Sequence, residues 1–198
     1  MTQSNSFLRI SRVFVFSLAV LTVFFYMSTE VFAEDRINAY WIHGNSIEPE
    51  YPQLLLDEKG APMEHGQRKG WGQFFYGSTV KGSINWFHIS IPTPVIEENT
   101  RVKLIKVFVL FKTIGNAKIT DIHVRDGDKP PRKFEMLGRS GDHLNIDSLN
   151  TFVIDQKIDM VTGLNIAVRV DFGPVYDETL KPSGIQFSAA GADFYRSW

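Results

Sequence analysis

The chain contains no cysteine. That absence removes thiol nucleophiles, thiolate zinc sites and iron–sulfur clusters together. It also leaves stability to an apolar core, because no disulfide can form. An excess of one charge is missing too: the formal net charge is −1 over 198 residues. Nucleic acid demands a basic surface, so it is not an expected partner, and nothing in this balance points to an anionic membrane surface. Helix-length segments with a 3.6-residue apolar period are absent as well. So are the signatures of common catalysts. None of His43, His65, His88, His123 and His143 sits in H-E-x-x-H or H-x-x-x-H spacing. No G-x-S-x-G elbow occurs, Gly138-Arg-Ser-Gly141 resembling it only loosely. Asp171-Phe-Gly173 lacks every other kinase element, and no glycine loop of the phosphate-cradling kind is present. The acidic pairs Glu48/Glu50 and Glu97/Glu98 have nothing to hold them at the controlled separation that glycoside hydrolysis needs.

Long apolar runs are scarce, and the one that exists lies at the start. Val13–Met27 is an uncharged apolar stretch of 15 residues, shorter than the ~20 that a membrane-crossing helix requires. Arg9 and Arg12 precede it, and Val31-Phe32-Ala33 places small residues at the two positions a signal peptidase reads. The pattern is that of a secretory signal over 1–33, cleaved after Ala33. A retained anchor is the competing reading, and the absence of cysteine removes a lipoprotein anchor. Cleavage leaves residues 34–198, enough for one domain with a proper core. Without Arg9, Arg12 and Glu30 that portion holds 19 basic and 21 acidic residues, a formal charge of −2. The expected location is secreted or periplasmic, with no membrane contact after cleavage.

What the rest does contain is short runs of β-branched and aromatic residues, punctuated by Gly, Pro, Asn and Asp. Strands are expected at 39–43, 53–56, 71–76, 84–91, 102–113, 118–125, 133–137, 151–154, 164–172 and 184–188. About ten strands at this spacing predict an all-β fold, an antiparallel β-sandwich of jelly-roll-like type filling 34–198. Leu164, Ile166, Val168, Val170 and Phe172 share one strand face, while Asn165, Arg169 and Asp171 share the other, so one side meets a core and one meets water. Val107–Phe111 is apolar on both faces, which predicts a central strand whose outer side is covered by a loop or by a partner. The terminal Phe194-Tyr-Arg-Ser-Trp198 raises an outer-membrane barrel, but the outward charges of 164–172 fit a lipid-facing wall badly.

Residues 119–128, ITDIHVRDGD, look at first like a metal site. Alternation places Ile119, Asp121, His123 and Arg125 on one face, with Thr120, Ile122 and Val124 on the other. His123 and Arg125 then occupy positions where a calcium loop needs oxygen ligands. Asp126-Gly127 supplies the positive φ of a tight turn. The expectation is a strand running into a turn, with no metal; an Asp121–His123 pair joined by a distant histidine is the weak alternative.

Aromatic residues carry the remaining functional signal. Trp41, Tyr51, Trp71, Tyr76 and Trp86 cluster in the first half of the mature portion, interleaved with Asn45, Glu48, Glu50, Gln73 and Asn85. Sugar rings have an apolar face and a hydroxyl rim, so aromatic platforms beside polar side chains suit them; the bland reading is that these rings fill a core. Alternation turns Trp86 and His88 away from Phe87, Ile89 and Ile91, and His43 stands before a Gly-Asn turn.

Five blocks, AYWIHGNS (39–46), WFHISIPTPVI (86–96), IHVRDG (122–127), NTFVI (150–154) and IQFSAAGADF (185–194), together resemble a family of small, largely bacterial β-sandwich proteins of uncharacterised function. The resemblance implies one β-sandwich domain and carries over no catalytic residue. The resulting expectation is a non-catalytic binding module for a carbohydrate or protein ligand, with no cofactor. Its surface is expected at Trp41, His43, Asn45, Trp71 and Trp86. Two alternatives stand beside it: a metal-dependent or hydrolytic enzyme built from converging His and Asp residues, and an assembly protein using the doubly apolar 107–111 strand.

Overall fold

In the computed structural model, residues 36–77, 83–173 and 182–196 are described, all within the unit Asp35–Trp198. The expected leader 1–33 and the terminal Trp198 lie outside the described residues. The strands run β1 (Arg36–His43), β2 (Glu48–Pro49), β3 (Leu55–Leu56), β4 (Gln67–Lys69), β5 (Gly72–Gly77), β6 (Ile84–Ile91), β7 (Ile96–Glu97) and β8 (Thr100–Arg101). They continue with β9 (Lys103–Ile114), β10 (Lys118–Asp126), β11 (Arg132–Phe134), β12 (Asp142–His143), β13 (Thr151–Asp159), β14 (Leu164–Asp171) and β15 (Gly184–Arg196). Each of the ten expected strands has a counterpart. The five extra ones, β2, β4, β7, β8 and β12, are two or three residues long, too short to leave an alternating pattern in the sequence.

Two antiparallel sheets face each other. The larger is centred on β9 and β15, which pair along almost their whole lengths. The outer edge of β15 is shared: β1 pairs its second half and β5 its first. β13 and β12 pair the far edge of β9, while β3 and β4 pair β5. The smaller sheet has the order β11-β10-β14-β6-β2. Neighbours come from distant parts of the chain, as in a jelly roll.

Alternation builds the core as expected. Leu164, Ile166, Val168 and Val170 from β14 and Phe87, Ile89 and Ile91 from β6 meet Val107, Val109, Phe111, Ile185 and Phe187 of the larger sheet. Phe87 is the hinge of this packing, with ring centroids 4.7 Å from Phe75 and 5.3 Å from Phe187. β9 is central, and its outward Phe108 is covered from within the chain by Trp41, which stacks on it at 5.2 Å and 23°. The cover expected from a loop or partner is thus supplied by a side chain of β1, reaching across Gly191 of the intervening β15.

Two expectations for 119–128 need correction. A bulge between Ile119 and Asp121 shifts the pairing of β10 with β14, so Ile119 is buried beside Ile122 and Val124 instead of lying on the wet face. Thr120 is not a core partner of Ile122; its hydroxyl accepts from Arg169 at 3.2 Å. The turn itself forms as expected, with Gly127 at φ 58°. Asp126 is not a solvated turn residue, however. Its side chain is 1% exposed and accepts hydrogen bonds from the backbone N–H groups of Val161, Thr162 and Gly163. The Thr162 hydroxyl and Lys129 Nζ, at 3.1 and 2.7 Å, complete the set. Burial alone would raise this carboxyl, but the ammonium and the three amides hold it far below the ordinary carboxylate range.

Candidate functional site

The first site is a turn that displays a tryptophan. β1 ends at His43, where the chain enters a short 3-10 turn, Gly44–Ser46. His43 Nδ1 accepts from the Asn45 backbone N–H at 3.2 Å. Nε2 therefore carries the proton and donates to the Gly70 carbonyl at 3.2 Å. The Asn45 side-chain amide donates to the Lys69 carbonyl at 2.9 Å. Two consecutive carbonyls of the link between β4 and β5 are held in this way, and the next residue is Trp71, 49% exposed. Its ring meets Phe74 edge-on at 5.3 Å, and Phe74 stacks in parallel with Tyr76 at 5.8 Å. Residues 74 and 76 share the outer strand face, so the three rings make an aromatic corner.

Beside the corner is a cavity of about 550 Å³, walled by Glu58, Met63, Gln67, Arg68 and Lys69. Burial raises the Tyr76 phenol above its ordinary value, and Glu58 adds to this. The phenol therefore stays a hydrogen-bond donor at neutral pH. An apolar wall, an amide, two cations, a carboxylate and a phenol are the groups that a polyhydroxylated ring of moderate size can use.

Trp86 lies elsewhere. It is on the outer face of the smaller sheet, where its ring sits 4.8 Å from that of His123. The five expected surface residues are therefore divided. His43, Asn45 and Trp71 form one unit; Trp41 is on the same sheet but stacked on Phe108; Trp86 belongs to the opposite layer. His43 and Asn45 act as ties that hold the display turn. Gln73 and Asn85, expected as polar groups beside the rings, are buried. Asn85 instead spans the Tyr51 backbone, accepting from its N–H and donating to its carbonyl. Phe74, Gln67 and Lys69 were not legible as site residues, because a phenylalanine, or a polar or basic residue of a three-residue strand, carries no motif of its own.

The histidines do not converge. His88 and His123 flank Ala167 from the two strands on either side of β14, which sets them about 10 Å apart. Among the described residues no group of three or more His, Asp or Glu side chains is placed to hold a metal ion. Of the weak metal pair, Asp121 is taken by Arg169 at 3.0 Å and by the Met136 N–H at 3.3 Å.

His143 is held differently, donating from one ring nitrogen to the Ser140 carbonyl at 3.0 Å and meeting Asp147 with the other at 2.7 Å. Burial alone would lower its pKa, but the Asp147 carboxylate prevails and raises it above 6.5. A raised histidine contributes stability that is fully present below the unfolded value and is lost as pH rises through the folded one. The Gly138–Asn150 loop should therefore loosen as pH rises through the raised His143 value. An NMR titration of the His143 ring is expected to show a midpoint above 6.5, with faster amide exchange at Leu149 and Asn150 past it. A midpoint at or below that value contradicts the reading.

Comparison with known proteins yields a family without a function. The model of a family of unknown function, DUF6623, matches residues 36–194, and the chain belongs to that family. No curated protein matches it. Among solved structures, one described as TmCBM61 in complex with beta-1,4-galactotriose aligns at 13% identity with a TM-score of 0.37, covering 81% of this chain and 88% of that one. At that identity and score the likeness assigns neither ligand nor residues to this chain.

Proposed function

We propose that this DUF6623 protein is an exported, non-catalytic carbohydrate-binding module whose sugar ring stacks on Trp71 and reaches the cavity beside Phe74 and Tyr76. The observation that carries the reading is the tethering of Trp71. A half-exposed indole is costly to leave in water, and here two side chains fix the backbone that presents it. Rigid display of an aromatic ring reduces the entropy lost on binding. The leader-like sequence at 1–33 supports export, and the shortage of converging acids and histidines among the described residues favours binding over catalysis.

The test is calorimetry and affinity electrophoresis of the full chain against soluble neutral polysaccharides such as galactan, mannan, xylan and β-glucan. One of them should bind, and Trp71→Ala should weaken it by about 30-fold, the equivalent of ~2 kcal/mol for a central aromatic anchor. Trp71 is exposed, so near-ultraviolet spectra should report an intact fold in the variant. Failure of every glycan to bind, or equal binding by wild type and Trp71→Ala, would refute the proposal.

A further inference from the structure

The outer face of the smaller sheet carries a second depression, and its chemistry differs from that of the Trp71 corner. At its centre is Ala167, whose neighbours across the two adjacent strands are His88 and His123. A methyl group between two longer side chains leaves a basin of about 370 Å³, bounded further by Glu50, Trp86, Arg125 and Asn165. Trp86 and His123 set two rings, 46° apart, along one bank. Arg125 and Asn165 stand opposite each other in register on the next row.

The ionic pairing around this basin is uneven. Glu50 already meets His88 at 3.0 Å and is held below its ordinary pKa by the Tyr51 hydroxyl and His88. Glu135 lies 3.4 Å from Lys133 and 3.7 Å from His123, and Asp121 is paired with Arg169. These three acids, Glu50, Glu135 and Asp121, thus have partners within the sheet. Arg125 is exposed, and among the described residues it has no acidic partner, unlike Arg68, Arg132 and Arg169. What the basin lacks is one carboxylate. A guanidinium fork binds that group in two-pronged fashion, and the side-chain amide of Asn165 adds a donor beside it.

We propose that this basin is a separate binding site for a uronic acid residue of an acidic polysaccharide, with the sugar ring against Trp86 and its carboxylate on Arg125 and Asn165. The ligand class rests on the carbohydrate reading above, but the site shares no residue with the Trp71 corner, so either can fail alone. The ring bank favours a sugar over a plain acidic peptide, because a flat apolar sugar face can lie on an indole.

Calorimetry of the full chain with oligogalacturonate, with a neutral galactan oligomer of equal length, and with an oligoglutamate of equal charge tests this. Oligogalacturonate should bind, and its affinity should fall as salt is raised. Arg125→Gln should weaken it at least 10-fold while leaving binding of the neutral oligomer unchanged. Arg125→Lys, which keeps charge but loses the fork, should fall between wild type and Arg125→Gln. Arg125 is an exposed strand residue, so both variants should fold. Equal affinity for oligoglutamate and oligogalacturonate, or an unchanged oligogalacturonate affinity in Arg125→Gln, would overturn the assignment. If the neutral oligomer fails to bind while the uronate behaves as expected, only the Trp71 reading falls.

Discussion

Asp126→Ala is expected to lower the melting temperature by about 10 °C, on the scale of ~2–4 °C per kcal/mol for a chain of this size. The carboxylate is the common acceptor for three successive backbone amides, Val161, Thr162 and Gly163, and for Lys129 Nζ. Removing it strands those donors in a place where its own side chain is 1% exposed. Each unpaired buried donor costs about 1–3 kcal/mol before water or the backbone relaxes, so a net loss of roughly 3–4 kcal/mol follows. Asp126→Asn should be little better, since an amide offers one acceptor oxygen and turns an NH2 toward the amides. The pH dependence has a definite sign. A depressed carboxyl contributes stability that is present above its unfolded value, about 3.9, and is lost as pH falls toward the folded one. The gap between wild type and Asp126→Ala should therefore be full at neutral pH and narrow progressively in acid below about pH 4. Scanning calorimetry from neutral pH into acid checks both; a neutral-pH difference of under about 3 °C, less than ~1.5 kcal/mol on the same scale, contradicts the locking role.

The layered β architecture was legible because burial in a sandwich imposes a two-residue period. β6, expected at 84–91, spans those very residues, and β14 alternates buried with half-buried positions along its length. β15 was harder. Only 184–188 carried a strand pattern, yet the strand continues to Arg196. Its second half, Ala189-Ala-Gly-Ala192, has little β propensity. It is a strand because it is hemmed in: β9 and β1 pair its two edges, and Trp41 lies over Gly191. Tertiary crowding chose small residues there, and no local signal records it. The bulge in β10 escaped for a related reason, since Ile119 is one apolar residue at the start of an alternating run and either face would suit it.

The candidate sites were legible by residue type but not by grouping. Tryptophans interleaved with polar residues drew attention to Trp71, which is exposed, and to Trp86, which is half-buried. Which polar residues stand beside them depends on pairing across 24 residues or more, as in the tie between Asn45 and Lys69. His43 and Asn45 attracted notice as ligand groups because histidine and asparagine often are; their hydrogen bonds assign them to the backbone of the display turn. Ala167 and Arg125 drew no notice as site residues. A depression on a sheet is made by a small side chain among large ones on three strands, and sequence separation hides that neighbourhood.

Gly44→Ala should couple the fold to the Trp71 corner. A Cβ at position 44 would lie 2.0 Å from the Phe187 carbonyl oxygen and 2.7 Å from its carbon. A Cβ at Gly72 would meet the same carbonyl oxygen at 2.3 Å. This is the point where β1 leaves β15, its last pair being His43 with Ala189, and β5 takes over with Gln73 opposite Phe187. A backbone carbonyl cannot rotate aside as a flexible side chain would, so the added methyl should cost at least the upper end of the ~1–3 kcal/mol typical of overpacking. A fall in melting temperature of about 8 °C follows from ~3 kcal/mol. Gly163→Ala, whose Cβ would have no atom within 4 Å, is the control and should stay within about 2 °C of wild type, well under 1 kcal/mol. The displaced turn also carries Asn45, and His43 directly precedes it, so both tethers of Trp71 shift with it. At temperatures where Gly44→Ala is still folded, neutral-glycan affinity should fall toward that of Trp71→Ala, and the Trp71 indole should report greater mobility by NMR relaxation. A Gly44→Ala protein that melts as wild type does would show that the β1–β5 handover tolerates a side chain. One that is destabilised but binds with full affinity would show that Trp71 is presented without its ties to β1.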